Sequence, residues 1–360
     1  MAQPLLVWFR RHRRPLPWRH HRTPYRTWIA EVMLQQTRIA QAVPYFERFV
    51  RRFPTVARLA AASEEDVLKA WEGAGYYARA RNLHRAAQII VHDRSGRIPG
   101  TVDELSELPG IGPYMAAAIA SQAFGAPVVA LDANGLRVVA RWTVERGDPR
   151  SPPVRRRLSE SVRGAVPAGE SGDFNEALME LGETICQPRR PRCGECPVAH
   201  LCLAVRTVPD PGTIPRRAGH APKPTIEAAV IGVQRRGRWL VQKRRSAGLL
   251  GGLWELPGGK LLAGERPELA AERELREETG LRAGPLVSAG VIRHEYSHFR
   301  VRLHLFSAPS ATGRLRPYRG RRWVTDAEFE RLPRPTATRR AMERLRALPV
   351  DRREHLSRIE

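Results

Sequence analysis

Four cysteines, Cys186, Cys193, Cys196 and Cys202, fall within 17 consecutive residues, and the rest of the 360-residue chain contains none. Scattered disulfides do not give such a distribution, and a reducing compartment would not let them form. Four soft thiolates this close together point to a metal centre, either zinc or an iron–sulfur cluster. Zinc ribbons usually carry two separated Cys-x-x-Cys knuckles, and here only Cys193 and Cys196 make a close pair.

Around this segment the composition is that of a folded protein, 42% hydrophobic and 27% charged, which excludes wholesale disorder. The formal charge is +24 with only four lysines, Lys69, Lys223, Lys243 and Lys260, so arginine carries nearly all of it. An excess of that size predicts a polyanionic partner, most simply nucleic acid. No apolar run approaches the ~18 residues of a membrane span. The arginines between Arg10 and Arg14 come too early for a secretory signal. The expected setting is the cytoplasm, with no membrane partner.

Tyr25–Val43, Glu64–Trp71, Ala78–His92 and Met115–Phe124 carry apolar residues at helical spacing, punctuated by Pro44, Pro54 and Pro99. A proline- and glycine-containing stretch at 206–224 has almost no apolar content and predicts a linker. Beyond it, Ile226–Val233, Trp239–Gln242 and Arg300–Phe306 read as strands, and Leu269–Thr279 as a charged helix.

Leu108-Pro-Gly-Ile-Gly-Pro-Tyr-Met-Ala-Ala-Ala-Ile119 sets a Gly-x-Gly turn, Gly110 and Gly112, between a short helix and an alanine-rich one. Such glycines let the backbone approach a phosphate, which the free N–H groups of the next helix can bind. Alone, the turn can equally just join two helices. Asp132, in Val129-Ala-Leu-Asp-Ala-Asn-Gly-Leu-Arg-Val138, follows an apolar stretch at the expected start of a helix. Hairpin, aspartate and cysteines, in this order and spacing, resemble the helix-hairpin-helix DNA glycosylases of the endonuclease III superfamily. The resemblance implies a hairpin that grips the DNA backbone, a catalytic aspartate, and a [4Fe–4S] cluster on Cys186, Cys193, Cys196 and Cys202. The cluster would fix a DNA-binding loop rich in arginine (Arg189, Arg190, Arg192). Strand-cutting members carry a lysine just after the hairpin glycines. Tyr114 stands there instead, and a phenol forms no imine.

Trp28-Ile-Ala-Glu-Val-Met-Leu-Gln-Gln-Thr-Arg38 resembles the adenine DNA glycosylase (MutY) family, and the likeness runs over about residues 5–205. It implies that Glu31 protonates adenine N7 and that Asp132 stabilises the sugar cation, with Tyr114 and Asn134 in support. Gln36 and Thr37 would wedge into the duplex and meet the opposite lesion. Tyr76, in Gly73-Ala-Gly-Tyr-Tyr-Ala-Arg-Ala-Arg-Asn82, would intercalate beside 8-oxoguanine. Arg19, in Leu16-Pro-Trp-Arg19, would lie near the adenine pocket. Ala133 and Gly135 stand where the family usually has glycine and valine, and Ala74 where it prefers leucine. The chemistry of the residues agrees. Glycosidic cleavage needs one carboxyl protonated for the leaving base and another ionised to face an oxocarbenium-like sugar. Trp28, Ile29, Val32 and Leu34 would raise the proton affinity of Glu31, whereas a helix start beside Asn134 would keep Asp132 charged.

Gly251-Gly-Leu-Trp-Glu-Leu-Pro-Gly-Gly-Lys260 leads into a full Nudix pattern: Gly259, Glu265, Arg273, Glu274, Leu275, Glu277, Glu278, Gly280 and Leu281. Glu274, Glu277 and Glu278 share a helical face and could converge on Mg²⁺. Adenine glycosylases carry a C-terminal domain of this kind, usually with a degenerate box, that recognises 8-oxoguanine. His294-Glu-Tyr-Ser-His-Phe299 resembles its lesion-contacting loop, which implies that Ser297 and His298 touch the lesion.

The sequence thus predicts a multi-domain chain. An all-α helix-hairpin-helix glycosylase domain spans 1–205 with its iron–sulfur loop at 186–202, a linker spans 206–224, and an α+β Nudix-like domain spans 225–360. The resemblance implies a monomer that removes adenine mispaired with 8-oxoguanine or guanine from double-stranded DNA in base excision repair. Open alternatives are an endonuclease III-like lyase, a two-activity chain whose Nudix box also hydrolyses nucleoside triphosphates, and a lesion-binding protein without catalysis.

Overall fold

Helical periodicity fills the first two hundred residues, and every regular element described there is a helix. The computed structural model describes residues 2–216, 222–245, 248 and 250–348; residues 217–221 of the expected linker and 349–360 lie outside the described residues. Two compact units emerge: Met1–Ala61 with Asn82–His220, and Ala62–Arg81 with Ala221–Glu360.

In chain order the helices begin α1 (Ala2–His12), α2 (Pro17–His20), α3 (Pro24–Leu34), α4 (Ile39–Arg52), α5 (Val56–Ala60) and α6 (Glu64–Ala70). They continue with α7 (Ala78–Asp93), α8 (Val102–Ser106), α9 (Pro113–Phe124), α10 (Ala133–Thr143), α11 (Pro152–Arg163), α12 (Ser171–Thr184) and α13 (Leu203–Thr207). The expected single helix Tyr25–Val43 is broken between Leu34 and Ile39, where Gln36 takes a left-handed φ of 56°. Pro44 does not end a helix but sits inside α4. As the sixth residue of that helix it offers no N–H to the Ala40 carbonyl, one backbone bond among the many that the helix makes.

The core of the first unit joins Leu5, Leu6 and Phe9 of α1 to Leu136, Val138 and Val139 of α10 and to Phe174, Leu178 and Leu181 of α12. Each such side chain contributes about 1.5–3 kcal/mol on leaving water. Close approach of α10 and α12 depends on Gly182, where a Cβ would lie 2.7 Å from that of Asn134. Small side chains do the same for α9, whose buried Ala116–Ala120 run packs against α3 and α12.

In the second unit a seven-stranded sheet runs β3 (Trp254–Glu255), β2 (Arg238–Lys243), β1 (Thr225–Arg235), β7 (Arg300–Ala308), β6 (Val287–Glu295). β4 (Gly258–Lys260) also pairs with β1, and β9 (Arg321–Val324) with β2. β5 (Arg282–Ala283) and β8 (Ala311–Thr312) form a separate pair. β1 and β7 are parallel, in register from Thr225 with Arg300 to Val233 with Ala308. Alternation along β1 sends Ala229, Ile231 and Val233 against Ala270, Ala271 and Leu275 of α14 (Pro267–Thr279). The opposite face, with Trp239, Val241 and Leu305, is closed by Phe329 of α15 (Asp326–Arg331) and by Met342 and Leu345 of α16 (Thr336–Arg346).

Residues 62–81, which the sequence reading left in the first domain, group with this second unit. Their polar groups explain why. Lys69 Nζ donates to the Glu330 carbonyl at 2.7 Å, Tyr77 Oη to that of Arg334 at 3.2 Å, and Arg81 to that of Gly251 at 2.6 Å. Among the described residues no helix is long and apolar enough to cross a membrane.

Candidate active site and metal centre

Glu31 lies in α3 with only 6% of its surface exposed, between Trp28, Ile29, Val32 and Met33, all buried. Two donors from α9 meet its carboxyl: Tyr114 Oη reaches Oε2 at 3.1 Å, and Gln122 Nε2 reaches Oε1 at 2.9 Å. Burial pushes the Glu31 carboxyl up to about 7 despite these donors, with Asp132 and Glu176 adding to the rise. The group therefore carries its proton into the neutral range. Burial raises Tyr114 well above the usual phenol range too, so it remains an O–H donor.

Asp132 is the N-cap of α10 and accepts from the Gly135 N–H at 2.7 Å and from Asn134 Nδ2 at 3.0 Å. Burial raises this carboxyl as well, against expectation, while the Gly135 and Asn134 donors and Arg137 draw it back. Asn134 is itself fixed, its Oδ1 accepting from Arg137 Nη2 at 2.9 Å. Arg137 continues to the carbonyls of Gly182 at 2.7 Å and Cys186 at 2.8 Å.

Arg19 is engaged by α12. Its guanidinium donates to Glu176 at 2.9 Å, to Glu180 at 3.0 Å and to the Arg14 carbonyl at 3.0 Å, with 9% of the side chain exposed. Two carboxylates on the buried face of α12 need cations, and Arg19 answers both, joined by Arg14 on Glu180 and Arg22 on Glu176. Although burial works against it, Arg14 and Arg19 hold Glu180 below the usual carboxylate range.

The hairpin has the expected form. Gly110 sits at a φ of 82°, and a Cβ there would meet Asn82 at 2.8 Å. Gly112 N-caps α9 without a side-chain cap and with open space around it, so a phosphate could reach the N–H groups behind it. Gln36 is exposed at the break between α3 and α4, and Thr37 beside it is half-buried. Tyr76 belongs to the second unit, half-buried, with a left-handed φ of 47° and the Arg79 guanidinium 5.4 Å from its ring centre. Ser297 and His298 are exposed in the turn between β6 and β7, which the Tyr296 N–H closes onto the Phe299 carbonyl at 2.8 Å. Tyr296 itself packs between His294 and Phe299.

All four cysteines line one small cavity, walled by Arg141, Trp142, Leu181 and Ile185. Arg141 is 1% exposed and organises the loop, donating to the carbonyls of Cys186 (3.1 Å), Gln187 (2.8 Å), Pro188 (2.8 Å) and Ile214 (2.9 Å) and to Cys186 Sγ (3.1 Å). Burial and the neighbouring sulfurs push the thiols of Cys193, Cys196 and Cys202 up, Cys196 to about 11. Thiolates in such a place call for cations between them. Thiols lining a cavity suit a cluster, in which each iron takes its own thiolate.

The Nudix box departs from expectation. Arg273 donates twice to Glu265, at 2.8 and 2.9 Å, and also to Glu274 at 2.8 Å and Glu277 at 3.3 Å. These hydrogen bonds pull Glu265 down to about 2. Glu278 turns away to Gln242 Nε2 (2.6 Å) and the Gly258 N–H (3.0 Å). The three carboxylates expected to converge on Mg²⁺ are thus divided, two on an arginine and one on amide donors.

Residues 29–164 match the HhH-GPD superfamily of base excision DNA repair proteins, 186–202 the iron–sulfur binding domain of endonuclease III, and 228–344 the NUDIX domain. An adenine DNA glycosylase of Rattus norvegicus is 33% identical over 93% of this chain and 76% of its own length. The chain belongs to the adenine DNA glycosylase family. A relative of that name from Mycobacterium tuberculosis is 42% identical over 54% of the chain and 64% of its own length. Among solved structures, a thermostable thymine-DNA glycosylase is similar over 57% of this chain and 94% of its own, with a TM-score of 0.52 and 29% identity. Membership in the family gives the cysteines an iron–sulfur cluster.

Sequence reading missed Gln122, Glu176, Glu180, Arg137 and Arg141. The arginines left a trace, since two cations one turn apart on an otherwise apolar helix face must be paired inside the fold. Protein prepared without oxygen should contain about four irons per chain. Cys193→Ser should lose iron and weaken DNA binding by freeing the loop that carries Arg189 and Arg190. Stoichiometric zinc in place of iron would contradict this centre.

Proposed function

We propose that this chain is a monofunctional adenine DNA glycosylase, removing adenine opposite 8-oxoguanine or guanine and leaving an abasic site. One observation carries the reading: a buried carboxyl gripped by two donors, its proton affinity lifted toward neutrality, feels the charge of a second carboxyl held by N–H donors. Glu31 protonates adenine N7 as the glycosidic bond breaks, and afterwards activates the attacking water. Asp132 faces the positive charge that develops on the sugar, held in place by Gly135 and Asn134. Tyr114 orients Glu31 and, being a phenol, supports hydrolysis without a Schiff base. The hairpin at Gly110 and Gly112 holds a backbone phosphate, while Gln36, Thr37 and Tyr76 contact the opened duplex. A flipped base needs such a wedge, since its stack must be replaced. Ser297 and His298 read the lesion opposite the adenine, working with one chain per site.

Glu31→Gln should reduce single-turnover adenine release by at least about a thousandfold while leaving DNA affinity intact, because an amide keeps the shape but has no proton to give. Asp132→Asn should lose about a hundredfold or more by removing negative charge from the sugar cation. Near wild-type release by either variant would remove that residue from the mechanism.

Ser297→Ala combined with His298→Ala should narrow the preference for 8-oxoguanine over guanine opposite adenine, leaving excision from A:G duplexes nearly unchanged. Competition between the two duplexes measures it. An undiminished preference would place lesion reading elsewhere.

A further inference from the structure

One contact to the proposed acid is not accounted for by any motif. Gln122 lies 91 residues from Glu31, near the end of α9, yet its amide donates to Glu31 Oε1 at 2.9 Å. Tyr114, from the first turn of the same helix, takes the other oxygen at 3.1 Å. The carboxyl is thereby gripped on both oxygens by donors about two helical turns apart. Arg22 in turn donates to the Gln122 backbone carbonyl at 3.5 Å and to Glu176, which ties this end of α9 to α12.

We infer that Gln122 is a positioning residue for Glu31, holding its carboxyl in one orientation and setting the pH range over which it stays protonated. The inference rests on the reading of Glu31 as the general acid. The physical basis is simple. A carboxylate without donors in an apolar site favours its neutral form strongly, and each N–H or O–H donated to it favours the charged form. Gln122 is the first of the two donors that draw Glu31 back toward the charged form against burial.

The other groups facing Glu31 are few. α9 supplies Tyr114, α10 supplies Asp132, and α12 supplies Glu176, whose charge is answered by Arg19 of α2 and by Arg22. Toward α3, α4 presents the ring of Phe46, over which Arg26 stacks at 5.2 Å. Both carboxylates raise Glu31, so the two donors oppose burial and two like charges together.

The sign of the test follows. Removing the amide leaves burial, Asp132 and Glu176 less opposed, so Glu31 keeps its proton to higher pH. Single-turnover adenine excision from an A:8-oxoguanine duplex should be followed from mildly acidic to alkaline pH for the wild type and for Gln122→Leu and Gln122→Asn. The leucine has similar bulk and no donor; the asparagine keeps an amide that is too short to reach. In both, the midpoint of the alkaline limb should move up by about 0.5 pH unit or more, and the plateau should fall about threefold to tenfold as the carboxyl loses its orientation. Iron content and DNA affinity check that each variant is folded, and the asparagine variant decides the matter if the leucine variant does not fold. A lower plateau with an unmoved or lowered midpoint would overturn the inference and leave Gln122 as packing. Glu31→Gln on the same duplex separates the two claims. If it is inactive while the Gln122 midpoints stay put, only the role of Gln122 falls; if it is active, the acid itself has been misassigned.

Discussion

Taking Glu31 out of water disfavours its charged form, and the first unit is arranged around the donors that offset this cost. A hydrogen bond to a charged group is worth about 1.5–3 kcal/mol, so two of them moderate the penalty without cancelling it. The result is a carboxyl poised near 7, able to hold a proton and to release it at neutral pH. Neither donor comes from the helix that carries Glu31. Both come from α9, and Ala116, Ala117, Ala118 and Ala120 are what let that helix approach closely.

A second polar layer supports the first. Glu176 and Glu180, one turn apart on α12, are paired with Arg14, Arg19 and Arg22. On α10 the capping carboxylate, Asn134, Arg137 and Arg141 form a line of hydrogen bonds and shared carbonyls ending at the Cys186 loop. Buried cations and carboxylates are costly unless fully paired, and these are paired. Placement of Asp132 and of the cysteine loop therefore depends on the same helix. Close positioning of a carboxylate is what such a shell supplies.

Much of this was legible in the sequence, and the parts that were not have physical reasons. The cysteine spacing, the Gly110-x-Gly112 turn and the helix around Glu31 are local patterns, read directly from neighbouring residues. The strand alternation at Ile226–Val233 and the helix before Gly280 are local too. Gln122 was invisible because its importance lies in a contact across 91 positions, which only the packing of α9 on α3 creates. The partners of Arg19, Glu176 and Glu180, lie more than 150 positions away, so its ion pairs leave no mark in the local sequence. The pairing of Glu274 and Glu277 with Arg273 follows from helical spacing, whereas the turn of Glu278 toward Gln242, 36 positions away, depends on packing. Residues 62–81 follow the same rule: their helix was predictable, and the unit it joins was not.

Everything in the account turns on protonation of the leaving base at N7 by Glu31. A duplex carrying 7-deazaadenine opposite 8-oxoguanine keeps the base's shape and pairing edge but replaces N7 with a carbon that cannot take the proton. The account predicts that the wild-type protein binds this duplex about as tightly as the adenine duplex and releases no base from it on the single-turnover timescale. Release of 7-deazaadenine at a rate comparable to adenine would contradict the account.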